Sequence, residues 1–258
     1  SLLISSIIGI ISTACYANYR LIIGSVQQVL KQAFQGLSAS IGNLGAVEAD
    51  HRKLATVFNS IFFIDFWLYG FASICLFELL TPFIAISFGA QYVLPVDVTF
   101  ILCLNFYLTG IRQTVLSFRD SLGLFWHDRY KSIAEAVLNL VASVLLAFRF
   151  GISGIFWGTL ISTVLVPLWV EPYILYKHEM HQSLLRYFLK LGVYTGAVFL
   201  CGIITHVICS HVAGDDIRQL LLKIPLCLTV PNCLIWLFFH RTAEYRHLLK
   251  KVRLFLRK

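Results

Sequence analysis

Apolar runs of about 20 residues dominate the chain and alternate with short polar or charged segments. One helix needs about 20 mostly apolar residues to cross a bilayer. The pattern therefore predicts an all-α polytopic membrane protein. Seven complete transmembrane helices are expected, at residues 16–41, 57–86, 97–117, 133–148, 154–176, 187–211 and 219–239.

The two ends of the chain do not fit this series of complete helices. The apolar stretch from Leu2 to Ile11 is too short to span a membrane. It also lacks the charged region and cleavage site of a signal peptide, so we interpret it as a truncated helix of a chain whose N-terminal part is missing. Residues 240–258 are basic with interspersed leucines, which predicts an amphipathic cytoplasmic tail on the inner leaflet. The transmembrane bundle is thus assigned to residues 1–239.

The first complete helix carries a polar stripe. Arg20 and Lys31 are eleven residues apart, which places them on one helical face, about 16 Å apart along the axis. Gln27 lies on the same face. A cation facing lipid at mid-membrane costs roughly 2.5–3.5 kcal/mol or more. We therefore expect this face to line a water-filled cavity, and a cationic cavity predicts an anionic substrate.

Composition and charge support a membrane protein with one orientation. Of the 258 residues, 58% are hydrophobic and 13% are charged, against about 25% charged in soluble domains. Fifteen of the 21 lysines and arginines fall in the tail and one alternating set of loops, three in the other set and three within helices. By the positive-inside rule this predicts a cytoplasmic C-terminus. The basic residues that give the net charge of +8 border the predicted helices and do not form an exposed soluble face, so no nucleic-acid partner is expected.

Other ionisable residues within the helices are candidates for function. Arg112 is interpreted either as a residue at the cavity mouth or as one whose side chain reaches the interface. Asp65 is deeper and is expected to pair with Arg112 or Lys31, or to line the transport path. Glu135 lies near a basic loop and is expected to be neutralised by Lys131. Asp65 and Glu135 are also the candidates for binding a coupling ion.

No pattern in the chain predicts catalysis. The charged segment 118–131 offers carboxylates and one histidine without the spacing of a nucleophile and base, so we expect it to form interhelical salt bridges. Glu171, beside Pro172, is assigned an interfacial or packing role. The seven cysteines lack the spacing of a zinc or redox site, and no P-loop, dinucleotide fingerprint or HExxH motif is present. No catalytic residue, cofactor or metal is predicted.

Four stretches give the chain a family resemblance. They are LLISSIIGI followed by YANYRLI near the start, LSASIGNLGAVE at 37–48, LNFYLTGIRQTVLSFRDSLGLFWHDRYKSIAEAVLNL at 104–140, and GISGIFWGTLISTVLVPLWVEPYILYK at 151–177. With them the chain resembles the C-terminal half of a polysaccharide-biosynthesis flippase of the O-antigen and capsule type. Such proteins belong to the multidrug/oligosaccharidyl-lipid/polysaccharide exporter superfamily. The resemblance covers most of residues 1–180.

The resemblance implies a fold and a substrate. Its members have twelve or fourteen helices in two halves around a cavity that opens alternately to either side of the bacterial cytoplasmic membrane. This chain would then be the C-terminal half, with the missing N-terminal half and the lipid bilayer as partners. The implied substrate is an oligosaccharide repeat unit linked to undecaprenyl pyrophosphate. The candidate substrate-binding residues are Arg20, Gln27, Lys31 and Arg112, of which Arg20 and Lys31 are placed in the lumen.

Three other functions stay open at this point. A multidrug cation antiporter of the same superfamily would favour an acidic cavity, contrary to the basic stripe. A membrane polysaccharide polymerase or lipid-linked glycosyltransferase would carry large outer loops, whereas those expected here are about ten residues or shorter. A structural membrane subunit without transport activity is the third.

Overall fold

The computed structural model describes residues 10–47, 51–180 and 182–255, with side chains over 12–32, 53–124, 126–180 and 182–249. The described chain is helical and contains no β-strand. Short 3₁₀ turns lie at Ala90–Tyr92 and Leu124–Trp126, and a π-helical turn at Tyr176–Met180. The α-helices are α1 (Ile10–Val47), α2 (His51–Ser87), α3 (Val96–Ile111), α4 (Gln113–Ser121), α5 (Lys131–Leu165), α6 (Pro167–Leu175), α7 (Leu184–Ser210), α8 (Asp216–Phe239) and α9 (Ala243–Phe255).

Five continuous helical segments are long and apolar enough to cross a membrane, which agrees with the predicted all-α membrane protein. They are Lys53–Ser87, Val96–Ser121, Lys131–Met180, Leu184–Ser210 and Asp216–Phe239. The first described helix, α1, is not among these five. The predicted truncated helix lies almost entirely outside the described residues, which begin at residue 10.

The Lys131–Met180 segment is a helical hairpin. Its 50 residues are far more than one span needs, and the chain reverses at Gly151, where φ is 59° and ψ is −136°. The Ser143 hydroxyl donates a hydrogen bond to the carbonyl oxygen of Ile155, 3.1 Å away. Farther from the turn, the amide nitrogen of Asn139 donates to the Ser162 hydroxyl at 3.2 Å. The predicted helices 133–148 and 154–176 are therefore the two antiparallel arms of this hairpin.

Small residues let the two arms approach closely. A Cβ atom at Gly158 would lie 2.4 Å from the backbone nitrogen of Ser143, and one at Gly154 would lie 2.2 Å from the carbonyl oxygen of Leu146. Backbone contact of this kind is how helices pack tightly inside a membrane, where lipid supplies no hydrophobic drive for association.

Helix α2 is the centre of the bundle and contacts α1, α3, α7, α8 and α9. Its aromatic side chains pack against α7 and α8: the ring of Phe66 stacks on Tyr194 at 4.4 Å and meets Phe239 edge-on at 5.1 Å. Phe62 lies 5.5 Å from the same Tyr194 ring. All four rings are buried, so these contacts fix α7 and α8 on α2.

The helix ends gather at two opposite ends of the bundle. At one, which we call the basic end, the connection 122–130, the π-helical turn Tyr176–Met180 and the connection 240–242 come together, and the ring of Phe58 lies against Phe118 and Tyr176 at 5.2 and 5.9 Å. At the opposite end lie loops 88–95, 149–151 and 211–215, where Ser153 donates a hydrogen bond to Asp97. The chain thus crosses between two ends, as the alternation of basic loops predicted.

The start of the basic tail folds back on the bundle. Tyr245 of α9 stacks on Trp67 with ring centroids 6.1 Å apart, and Glu244 accepts a hydrogen bond from Lys190 at 2.6 Å. Partial burial is the largest single influence and would raise the pKa of the Glu244 carboxyl. The hydrogen bond from Lys190, a backbone hydrogen bond of Glu244 itself and the charge of Lys190 together outweigh burial and lower that pKa below its ordinary value. The first turns of α9 are therefore held by the bundle through an aromatic stack and an ion pair.

Candidate functional site

A cavity of about 740 Å³ opens between α1, α3 and the α5 hairpin. Thr, Asn and Gln side chains, one arginine and three aromatic rings contribute to its surface together with a few aliphatic groups. It is lined by Tyr16, Arg20, Ile23, Gly24, Gln27, Leu102, Asn105, Phe106, Thr109, Asn139, Ile155, Phe156 and Thr159.

The charge of the cavity comes from α1. Its lining positions, from Tyr16 to Gln27, follow helical spacing and so form one face. Arg20 is exposed and forms no ion pair with any described residue, and no carboxylate lines the cavity in the described chain. The described wall is therefore partly polar and partly apolar with one unneutralised positive charge, which suits a phosphate group.

Amide side chains from α3 and α5 are fixed on the other walls. The Asn105 amide nitrogen donates to the carbonyl oxygens of Ile101 at 3.0 Å and of Phe156 at 3.2 Å, which ties α3 to the hairpin. The Asn139 carbonyl oxygen accepts a hydrogen bond from Ser143 at 3.3 Å. These bonds hold both amides in place at the cavity wall, where hydroxyl-rich ligands find donors and acceptors.

Aromatic rings also line the cavity. The rings of Tyr16 and Phe156 are 4.9 Å apart and inclined at 46°, and Phe106 also lines the cavity. Flat rings of this kind bury large apolar area with little loss of side-chain entropy. The cavity can therefore contact both the polar and the apolar faces of a ligand.

Two of the four predicted substrate-binding residues line the cavity, and two do not. Arg20 and Gln27 are in its wall. Lys31 lies one helical turn beyond Gln27, about 6 Å farther along α1, where it is exposed and outside the cavity lining. Arg112 lies at the basic end, away from the cavity.

Arg112 forms a buried ion pair that the sequence did not predict. Its Nε and Nη2 atoms donate to the two carboxylate oxygens of Glu171 at 2.9 and 2.6 Å. Lys131 donates to the same carboxylate at 2.5 Å, and the Glu171 side chain has no exposed surface. The expected pair of Lys131 with Glu135 is therefore wrong, and the packing role assigned to Glu171 is corrected to a buried carboxylate between two cations.

Asp65 has a different partner from the two expected. Its Oδ2 atom accepts hydrogen bonds from the backbone nitrogen of Thr114, at 2.7 Å, and from the Thr114 hydroxyl. Asp65 thus satisfies a donor at the start of α4, just after the break that separates α3 from α4 at Arg112. The residue is fully buried and does not line the cavity. The predicted pair of Asp65 with Arg112 is wrong.

The charged segment before α5 forms the salt bridges that were predicted. Arg119 contacts Asp120 at 2.7 Å and Asp128 at 2.6 Å, and Lys131 contacts Asp128 at 3.1 Å. Through Lys131 this network continues to Glu171 on α6. The basic end is therefore held by one connected set of ion pairs across α3, α4, α5 and α6.

Helix α2 contains a second buried carboxylate, Glu78, which was not predicted from the sequence. Glu78 is 4% exposed, its Oε1 lies 2.7 Å from Nδ1 of His206, and its Oε2 lies 3.5 Å from Nζ of Lys223. The available signal was an acidic residue nine positions before the end of an apolar helix at Ser87. The partners come from α7 and α8, more than a hundred residues away in sequence.

No family model, curated protein or solved structure matches this chain. The described residues also contain no cluster of three or more histidines, cysteines or carboxylates arranged to hold a metal ion.

Proposed function

We propose that this chain is the cavity-forming half of a membrane transporter that moves a lipid-linked oligosaccharide across the bacterial cytoplasmic membrane by alternating access. The substrate class is an oligosaccharide joined through pyrophosphate to a polyprenyl lipid such as undecaprenol, used to build surface polysaccharide. The family resemblance of residues 1–180 suggests this function, and the cavity supplies independent physical support.

The observation that carries the proposal is the make-up of the cavity wall. Arg20 brings an unneutralised cation, and Gln27, Asn105 and Asn139 bring amides, while no carboxylate lines the described wall. A pyrophosphate is attracted by such a wall, and sugar hydroxyls can exchange hydrogen bonds with amides and threonines. The aromatic rings of Tyr16 and Phe156 offer surface for the apolar faces of sugar rings.

In this proposal each part of the substrate occupies a different environment. The oligosaccharide and pyrophosphate enter the cavity between α1, α3 and the α5 hairpin, while the polyprenyl chain stays in the bilayer. Rocking of two halves about the cavity then exposes the headgroup to the other side. A single arginine suits this task, since a site that binds the headgroup too tightly does not release it.

The cavity and the short connections disfavour two of the other candidate functions, the cation antiporter and the polymerase or glycosyltransferase. A cation antiporter needs an acidic site, whereas the described lining contains a cation and no carboxylate. A polymerase or glycosyltransferase needs a platform outside the membrane. The connections at the opposite end, 88–95, 149–151 and 211–215, are too short to build one.

A binding comparison tests the proposal. The purified protein in lipid nanodiscs is titrated with an undecaprenyl-pyrophosphate-linked oligosaccharide and, separately, with ethidium as a lipophilic cation. We expect saturable binding of the lipid-linked sugar, weakened about tenfold or more in Arg20→Gln because a charge-assisted contact is lost. Saturable binding of ethidium with none of the sugar lipid would contradict the proposal.

A further inference from the structure

Glu78, His206 and Lys223 form a charged cluster that is separate from the cavity. The cavity uses one face of α3, through Leu102, Asn105 and Thr109, and the cluster lies beyond the other face, on the side of α2, α7 and α8. Buried ionisable groups within a membrane helix are costly and are kept mainly for function. The proposed transport cavity leaves this cluster without a role.

The cluster joins three helices through one carboxylate. Glu78 belongs to α2, His206 to α7 and Lys223 to α8. The Glu78 side chain is 3% exposed, that of Lys223 14% and that of His206 56%. Of the three side chains, the imidazole is thus the most exposed and is the candidate for proton uptake from outside the bundle.

The position of the cluster gives this access a direction. His206 is four residues from the end of α7 at Ser210, and Lys223 is seven residues from the start of α8 at Asp216. These intervals correspond to about 6 and 10 Å along their helices. Both ends belong to the opposite end of the bundle, so the cluster communicates with the side that does not carry the basic loops.

The imidazole of His206 and the ammonium of Lys223 hold the carboxylate unequally. The imidazole contact, at 2.7 Å, is a hydrogen bond, whereas the ammonium contact, at 3.5 Å, is an ion pair without hydrogen-bond geometry. Within the part of the chain that the structure describes, the other ionisable groups that face Glu78 and Lys223 are thiols, which carry no charge in the protonated form. They are Cys103 of α3, Cys209 of α7 and Cys227 of α8, the last with Cys75 of α2 beside it.

Charge balance therefore depends on the protonation of His206. With a neutral imidazole, Glu78 and Lys223 sum to zero. With a protonated imidazole, two positive charges share one carboxylate that is itself buried, and the two cations repel each other. The Lys223–Glu78 contact breaks first because it is the longer of the two. The lysine side chain is long enough to place its ammonium near the membrane interface.

We infer that His206 is a proton-binding site open to the opposite end of the bundle, and that a proton bound there displaces Lys223 from Glu78. The exchange frees α8 from its ionic contact with α2 while α7 stays attached. It does not depend on what the cavity transports.

Lysine acylation tests this exchange in the full chain in nanodiscs. The reagent is a water-soluble, amine-reactive acylating agent, and the extent of labelling at each lysine is measured by mass spectrometry. The extent of labelling at Lys223 is divided by that at Lys190 in the same sample. This labelling ratio corrects for the effect of pH on the reactivity of amines. Lys190 suits this purpose because the lowered pKa of its partner Glu244 keeps that pair ionised. We expect the ratio to rise about fivefold or more between pH 8 and pH 5.5.

Variants of His206 distinguish the effect of protonating this residue from other effects of pH on the labelling ratio. His206→Gln, which cannot be charged, should keep a low ratio at both pH values, and His206→Arg should give a high ratio already at pH 8. His211→Gln, at an exposed histidine on the same helix end, should respond as the wild type does. A wild-type ratio that does not change with pH, or that changes equally in His206→Gln, would overturn the inference.

Discussion

Under the proposed function, replacing Arg20 with glutamate is expected to abolish surface-polysaccharide production. The substitution turns the one unneutralised cation of the described cavity wall into an anion. Opposite charges about 4 Å apart attract by about 4 kcal/mol at an effective dielectric of 20, and the reversed charge repels the pyrophosphate by a similar amount. The change is measured by complementation of bacteria that lack their own oligosaccharide flippase.

Lys31→Glu is the matched control for Arg20. It makes the same charge reversal on the same face of α1 but outside the cavity lining, so we expect a reduction of less than about tenfold. Arg20→Lys keeps the charge and should retain partial function. Full polysaccharide production by Arg20→Glu, at wild-type protein abundance, would contradict the role given to this residue.

Glu171→Gln is expected to destabilise the folded protein by about 3–5 kcal/mol, because it leaves the buried Arg112 without its anion and Lys131 with only Asp128 as a charged partner. The side chains of Arg112 and Lys131 are only 11% and 8% exposed, and both donate to this carboxylate. An amide keeps the size of the group but offers one acceptor oxygen in place of two. The measurement is the free energy of unfolding in mixed detergent micelles.

Glu244→Gln provides the comparison for that measurement. It makes the same chemical change in an ion pair whose lysine is 37% exposed, and exposed pairs contribute about 0–1 kcal/mol. Equal losses of stability in the two variants would show that burial of the Glu171 cluster has no special effect.

Local sequence features predicted much of the fold. Apolar runs located the segments Lys53–Ser87, Leu184–Ser210 and Asp216–Phe239, because length and hydropathy are properties of each segment alone. The hairpin arms were also anticipated on either side of Arg149 and Gly151. The close approach at Gly158 was not, since it depends on which helix lies opposite.

The candidate site was predictable only where one helix determines it. Arg20 and Gln27 share a face by spacing alone, and both line the cavity. How far the cavity extends toward Lys31 depends on α3 and the α5 hairpin, which the spacing in α1 does not report.

Charge pairing was the least predictable feature. Arg112 and Glu171 are 59 residues apart, and Glu78 and His206 are 128 apart. The ion pairs expected from the sequence joined carboxylates to nearby or similarly deep cations, as for Glu135 and Lys131. Helix packing instead brought Lys131 and Arg112 to Glu171, and gave Asp65 the donors of Thr114.

Water access to α1 tests the central claim most directly. Single cysteines are placed at Gly24 and Gln27, in the cavity wall, and at Leu145, an exposed position on the first arm of the hairpin outside the cavity lining, in a protein whose own seven cysteines are replaced. A charged, membrane-impermeant thiol reagent is applied to the protein in its membrane. A water-filled cavity predicts labelling at 24 and 27 at least about tenfold faster than at 145, since the thiolate forms and reacts only where water reaches it. Equal, slow labelling at all three positions would contradict a cationic, water-filled cavity.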